Sequence, residues 1–202
     1  MTVNKDKPRV KALKGRYKIR GHFSRSELGT PIRNEEGNLR GITNPRDMTY
    51  IHSYGGEAPF FEGLSKGRLL ATRCDNPDCE TKGTMYLPYR IACPDCLMRT
   101  TSVDVTDLAN EKAEIYTYIN TERSGAFNFL PTPIRFLDMA FPGTPIATFL
   151  KSYMSGPGEP DFGMRLVPIF NTKNPTFTIT DLSWVVPGTK PEDLPEDFTF
   201  SL

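Results

Sequence analysis

The sequence predicts a mainly β protein in three parts: a helical or irregular N-terminal segment, a short cysteine-bearing ribbon and a small antiparallel barrel. Two observations support this class. All four cysteines of the 202-residue chain lie within residues 74–96. Five segments rich in β-branched and aromatic residues then follow, separated by Pro, Gly and Asn and without a long helical pattern between them, which favours a closed or nearly closed barrel.

The composition is that of a globular protein with a core. The chain has 25 Lys and Arg, 24 Asp and Glu, a net charge of +1 and 38% hydrophobic residues. No stretch approaches the roughly 18 apolar residues that a membrane span needs. The basic N-terminus lacks the apolar run of a signal peptide. We therefore expect a cytoplasmic protein.

The charges are unevenly distributed. Residues 1–25 carry nine basic side chains and one acid, a net charge of +8, so the rest of the chain sums to −7. This basic arm predicts an electrostatic contact with a partner subunit, an anionic ligand or nucleic acid. The alternative is a solvated terminus. We assign residues 1–57 to a basic, largely irregular extension.

A short amphipathic helix is predicted over residues 58–73. Phe60, Phe61 and Leu64 recur at helical spacing, and Gly67 is expected to break the helix. At the other end of the chain, residues 189–202 are acidic and rich in proline, which predicts an extended tail.

The cysteines form two close pairs that predict a zinc ribbon over residues 74–104. Cys74 and Cys79 are separated by four residues, and Cys93 and Cys96 by two. Turns of this length each deliver two thiolates to a tetrahedral metal. Three alternatives compete: two disulfides, a redox dithiol at the second pair, and a rubredoxin-like iron site that uses the same ligands.

A site closed by four thiolates has no open position for water or substrate, so its metal is expected to be structural. The cysteines are then unavailable as nucleophiles. His22 and His52, the only two histidines, lie in weakly patterned sequence, and no motif of a serine hydrolase, a phosphate-binding loop, a dinucleotide fold or a zinc protease is present. The sequence offers no convincing catalytic set.

Five strands are predicted for the barrel, which we place at residues 105–188. Their segments are AEIYTYIN (113–120), RFLDMAFP (135–142), PIATFLKSY (145–153), RLVPIFNT (165–172) and FTITDLSWVV (177–186).

The combination of PFFEGLSKGRLLATRC, TMYLPYRIACPDC, AEIYTYI and DFGMRLVPIF resembles a family of zinc-ribbon plus OB-fold proteins, once a domain of unknown function and now associated with acyl-CoA metabolism. The resemblance covers about residues 58–188 and identifies the barrel as an OB-fold. It departs from the family in the four-residue spacing of the first cysteine pair and in the long basic extension.

The resemblance implies a non-catalytic subunit that accompanies a thiolase-superfamily enzyme in a hetero-oligomer, for example of two plus two chains. The partner then carries out the acyl-transfer chemistry, and the subunit assists assembly and the binding of CoA or acyl-CoA. The implied cofactors are structural Zn²⁺ and a CoA ligand, which the partner can share.

Binding of CoA requires cations for its phosphates and an apolar channel for its pantetheine and acyl groups. The cations that we select as candidates are Arg73, Arg90, Arg123, Arg135 and Lys151. The candidates for a partner interface are Phe60, Phe61, Phe127, Phe129 and Leu130.

Three other functions are left open. The first is a nucleic-acid-binding protein, because both folds occur in that class; the net charge of −4 over residues 111–202 disfavours it. The second is electron transfer through iron, and the third is an independent enzyme.

Overall fold

A computed structural model of the chain describes residues 9–14, 16–21, 24–125, 127 and 129–201. The chain divides into two compact units with the boundary between Ser53 and Tyr54. Among the described residues, no helix is long and apolar enough to cross a membrane.

The first unit contains short strands where the sequence analysis expects irregular structure. They pair antiparallel as β1 with β2, β3 with β6 and β4 with β5. Their bounds are Arg9–Leu13 (β1), Arg16–Arg20 (β2), Ser24–Ser26 (β3), Pro31–Arg33 (β4), Leu39–Ile42 (β5) and Arg46–Met48 (β6). No described residue of these strands is buried. Most of them therefore lack the alternation of apolar and polar residues by which a half-buried strand is predicted.

The second unit begins with a helix that is shorter than the predicted range of 58–73. Helix α1 spans Ala58–Leu64, and strand β7 spans Leu70–Arg73. The chain reverses at Gly67, which has a φ of +70°. The Arg68 N–H donates to the Gly63 carbonyl at 3.0 Å, which closes the helix end.

The ribbon is a three-stranded sheet in the order β8, β7, β9. Strand β8 spans Met85–Tyr86 and β9 spans Thr101–Asp104. A second helix, α2 (Thr106–Lys112), which the sequence analysis missed, links the ribbon to the barrel. The Asp104 carboxylate accepts hydrogen bonds from the Thr106 N–H and hydroxyl at the start of this helix.

The barrel strands agree with the five predicted segments. They are β10 (Glu114–Thr121), β11 (Ile134–Ala140), β12 (Leu150–Met154), β13 (Val167–Asn171) and β14 (Leu182–Val185). Their order is β10-β11-β12-β14-β13, and only β12 and β14 pair parallel. The Ile115 N–H donates to the Met164 carbonyl at 3.0 Å, which joins β10 to the segment before β13 and closes the sheet on itself. The protein is therefore mainly β, with a cysteine ribbon and an OB-like barrel.

The barrel encloses the main core of the unit. Trp184, Phe170 and Met139 are fully buried there, and Phe60 of α1 belongs to the same cluster. The acidic tail adds a further edge strand, β15 (Phe198–Phe200), which pairs with β13. The helix and the tail therefore pack on the barrel.

Candidate metal centre and apolar groove

The four cysteine sulfurs form a compact cluster. The Sγ atoms of Cys74 and Cys96 lie 3.8 Å apart, those of Cys79 and Cys93 lie 3.9 Å apart, and all four lie within 4.8 Å of one another. A tetrahedral Zn²⁺ with bonds of about 2.3 Å places its sulfurs about 3.8 Å apart. The arrangement of the sulfurs therefore suits this ion.

Short turns place the two sulfur pairs. Cys74 directly follows β7, and its N–H donates to the Thr84 carbonyl at 3.1 Å. In the second turn, the Leu97 N–H donates to the Cys93 carbonyl, and the Cys93 N–H donates to the Met98 carbonyl, both at 2.9 Å. Leu97 occupies the left-handed region with a φ of +59°. Backbone hydrogen bonds thus hold each turn in the conformation that aims its thiols inward.

The pKa values of the Cys93 and Cys74 thiols are shifted in opposite directions. Backbone N–H groups, first that of Cys96, and the Tyr86 hydroxyl lower the pKa of Cys93 to about 5. Burial raises the pKa of Cys74 to about 12. Burial, followed by the contact with Cys93, also raises the pKa of Tyr86 to about 12, so its hydroxyl stays a donor toward this sulfur at 3.5 Å. Full ionisation of all four thiols requires a cation at their centre.

The sulfur distances also bear on the alternatives. The distances of 3.8 and 3.9 Å are far longer than the about 2.05 Å of a disulfide, and all four cysteines are free thiols. The donor set fits structural Zn²⁺, and iron remains chemically compatible with the same four ligands.

An apolar groove with a volume of about 470 Å³ lies on the outer face of the barrel. Its lining includes Ile119 of β10, Phe136 of β11, Tyr153 of β12 and Ile179. The hydroxyl of Tyr153 donates to the Thr180 carbonyl at 3.0 Å, which joins β12 to the segment that contains Ile179. The groove is thus built from side chains that are far apart in the sequence.

A smaller pocket of about 300 Å³ continues the groove toward α1. The two cavities share Lys151 and Ile179, and the smaller one is also lined by Phe61, Tyr89 and Phe149. The ring of Phe149 stacks on Tyr116 with centroids 4.1 Å apart. Together these residues make an extended apolar surface.

The five candidate cations do not line one common cavity. Lys151 lines the groove, where its Nζ lies 3.0 Å from the Asp138 carboxylate. Arg135 lines another pocket, and its guanidinium donates to the carbonyls of Gly156, at 2.6 Å, and Gly158. Arg135 is therefore engaged by the backbone, which the sequence does not reveal.

The other three candidates lie away from the groove lining. Arg73 pairs with Asp75 at 2.6 Å, and this hydrogen bond lowers the pKa of the Asp75 carboxyl. The Arg90 guanidinium lies 5.9 Å from the centroid of the Tyr86 ring. Arg123 follows β10 and is exposed. A role for these three in binding CoA stays a prediction.

The candidate interface residues divide in the same way. Phe127 and Leu130 line the groove, Phe129 is 64% exposed, and Phe61 lines the smaller pocket. Phe60 is only 2% exposed and packs in the core, although it also lines the smaller pocket. Its role at a partner interface stays a prediction.

Two features of the site were not predicted from the sequence. Tyr153 and Ile179 were not among the candidate site residues, and neither was the stacked pair Tyr116 and Phe149. The alternation in TFLKSY, which places Phe149, Lys151 and Tyr153 on one face of a strand, was the available signal.

Neither a protein-family model nor a curated protein matches the chain. Solved structures are similar to it, among them the following two. One is a protein of unknown function from the DUF35 family of Sulfolobus solfataricus, with 21% identity, a TM-score of 0.47, and 67% of this chain and 89% of that chain covered. Another is described as an Ltp2-ChsH2(DUF35) aldolase, with 18% identity, a TM-score of 0.48, and 64% of this chain and 93% of that chain covered. Both of these neighbours are described as DUF35 proteins.

Proposed function

We propose that this chain is a non-catalytic subunit of a thiolase-family complex that acts on acyl-CoA. Its metal ribbon organises the fold, its groove receives the apolar part of the ligand, and a thiolase-superfamily partner performs the acyl transfer. The observation that carries this proposal is the groove of about 470 Å³, which lies within the usual size range of small-molecule sites.

The metal centre supports a structural role for the ribbon. Four thiolates complete a tetrahedral shell and leave no position for a reacting water. Bound Zn²⁺ would be held by Cys74, Cys79, Cys93 and Cys96, and it would supply a rigid link between the two turns rather than Lewis-acid chemistry. The thiols are then committed to the metal, which is consistent with a subunit that depends on another chain for its nucleophile.

The groove supports an acyl or pantetheine ligand rather than the phosphates of CoA. Its walls are largely apolar, and its cation, Lys151, faces the carboxylate of Asp138. A phosphate at this point would meet both charges. We therefore place the phosphates outside the groove, on the remaining cations or on the partner.

Titration calorimetry with a series of saturated acyl-CoAs tests this assignment. If the acyl chain enters the groove, affinity should rise with chain length, by up to about fourfold per buried methylene. Ile119→Asp, which puts a charge into the lining of the groove, should abolish this dependence. Ile91→Asp is the matched control, because Ile91 is also an exposed isoleucine but does not line the groove. Affinity that is independent of chain length would contradict the assignment.

The partner is tested by co-purification from the native host. We expect a thiolase-like chain to co-purify, and the complex to act on an acyl-CoA that the isolated chain leaves unchanged. Turnover of an acyl-CoA thioester by the isolated chain would refute the accessory role.

Binding of nucleic acid is the other candidate, and the charge of the second unit weighs against it. Residues 54–202 contain 13 Lys and Arg and 19 Asp and Glu, a net charge of −6. A groove that follows a phosphate backbone should be positive. Titration with single-stranded DNA and RNA at low salt distinguishes the two functions.

A further inference from the structure

The described residues of the first unit form strands but no buried core. None of its described residues is buried, although many of its apolar side chains are large. Those that are exposed include Val10, Leu13, Tyr17, Ile19, Leu28, Ile32, Leu39, Ile42, Met48, Tyr50 and Ile51. Two-stranded ribbons are marginally stable alone in water, and exposed apolar patches of this kind mark interaction surfaces. This unit therefore requires an external surface to cover it.

The strand pair of β1 and β2, which we call the N-terminal ribbon to distinguish it from the cysteine ribbon, has two chemically different faces. Cross-strand partners share a face, so Arg9 lies opposite Arg20 and Lys11 opposite Lys18 on a cationic face. Val10 lies opposite Ile19 on the other, apolar face. Like charges directly opposite each other destabilise a strand pair. The ribbon thus gains stability when anions from another surface approach its cationic face.

We propose that this N-terminal ribbon docks on the second unit of another copy of the chain, so that two chains associate as a homodimer. The first unit contains 12 Lys and Arg and 5 Asp and Glu, a net charge of +7. The second unit has a net charge of −6. Each chain therefore carries both complementary surfaces, which is the condition for self-association through a closed two-fold exchange.

The surface around Phe162 suits the role of complement. Phe162 is 66% exposed in the turn before β13, and the exposed Glu159 and Asp161 precede it in the sequence by three residues and one residue. A large exposed aromatic residue close in sequence to two acids offers apolar cover and counter-charge together. Nucleic acid would neutralise the cations but would leave Val10 and Ile19 in water, so a protein surface is favoured.

The test measures the mass of the full-length chain by light scattering and sedimentation, up to about 100 μM. We expect a reversible dimer that dissociates as the salt concentration rises from about 50 to 500 mM. The double variant Lys11→Glu with Lys18→Glu should weaken the dimer about tenfold or more. This variant replaces one like-charge pair by another, so the repulsion within the ribbon is retained and only the sign of the face changes.

Two further variants locate the surface. The double variant Glu159→Lys with Asp161→Lys should by itself weaken the dimer. Combined in one chain with Lys11→Glu and Lys18→Glu, it should restore the dimer, because both surfaces then have reversed charges. The single variant Lys11→Glu creates an attractive pair with Lys18 and therefore stabilises the ribbon, yet it should still weaken the dimer. A chain that stays monomeric at every concentration overturns the proposal. A dimer that these variants leave unchanged, or a monomer that binds nucleic acid through Lys11 and Lys18, also overturns it.

Discussion

The buried carboxylate of Asp181 accepts a hydrogen bond from the backbone N–H of Phe177 at 2.7 Å. The same carboxylate accepts from the Thr176 N–H at 2.9 Å and from the Asn171 amide at 3.2 Å. Phe177 has a φ of +58°, a strained conformation for a residue with a side chain. Asp181 thus holds the turn that leads into Ile179, which lines the groove.

Replacement of this carboxylate should therefore affect both stability and the groove. Asp181→Ala leaves the buried Asn171 amide and the backbone N–H groups of Thr176 and Phe177 without this acceptor, which we expect to cost about 3 kcal/mol in the free energy of unfolding. Urea denaturation measures this loss. Asp193→Asn, at an exposed aspartate of the tail, is the control and should change stability little. A fully stable Asp181→Ala chain would show that the turn is held by other contacts.

Loss of one thiolate should release the metal. Cys93→Ser removes a direct ligand, and because changes even outside the ligand shell cost about 10- to 100-fold in metal affinity, we expect a loss of at least about 100-fold. Elemental analysis measures the loss of bound metal. Thermal unfolding measures the loss of stability of the cysteine ribbon, since metal binding contributes to folding. Met98→Ser keeps all four thiols and should retain the metal. Normal stability after complete removal of the metal would refute its structural role.

The left-handed conformation of Leu97 predicts a stabilising substitution. Its side chain is 77% exposed, so its removal sacrifices little packing. Leu97→Gly relieves about 1–2 kcal/mol of backbone strain. It also increases the conformational entropy of the unfolded chain, which lowers stability by a somewhat smaller free energy. We expect a net gain of roughly 0.5 kcal/mol from these two effects. Leu97→Ala retains the Cβ atom, so in denaturation experiments it should show no such gain.

The burial of Tyr153 predicts a loss of stability in alkali. Burial raises the pKa of its hydroxyl to about 12, compared with about 10 in an unfolded chain. Its contribution to stability is therefore complete below about pH 10 and declines as the pH rises to about 12, by about 3 kcal/mol in total. The difference in unfolding free energy between the native chain and Tyr153→Phe should follow this curve. Tyr50→Phe, at an exposed tyrosine, should retain the native profile.

Local spacing accounts for the parts of the structure that could be predicted. Turns of two and four residues bring the sulfurs of Cys74, Cys79, Cys93 and Cys96 into reach of one ion whatever surrounds them. The five barrel strands were likewise predictable, because burial of one face requires an apolar pattern within each segment. The strands of the first unit were less visible, although the alternation of cations and apolar residues from Arg9 to Arg20 was a usable signal.

The cysteine cluster and the barrel could thus be predicted from the sequence, since each depends on residues close together in the chain. The side chains that form the groove are known only from the folded chain, because Ile119, Tyr153 and Ile179 meet through strand pairing and a turn. The same holds for the binding of Arg135 by backbone carbonyls and for the position of Phe60 in the core. Such assignments depend on which distant groups compete for a side chain, and a linear pattern does not contain that information.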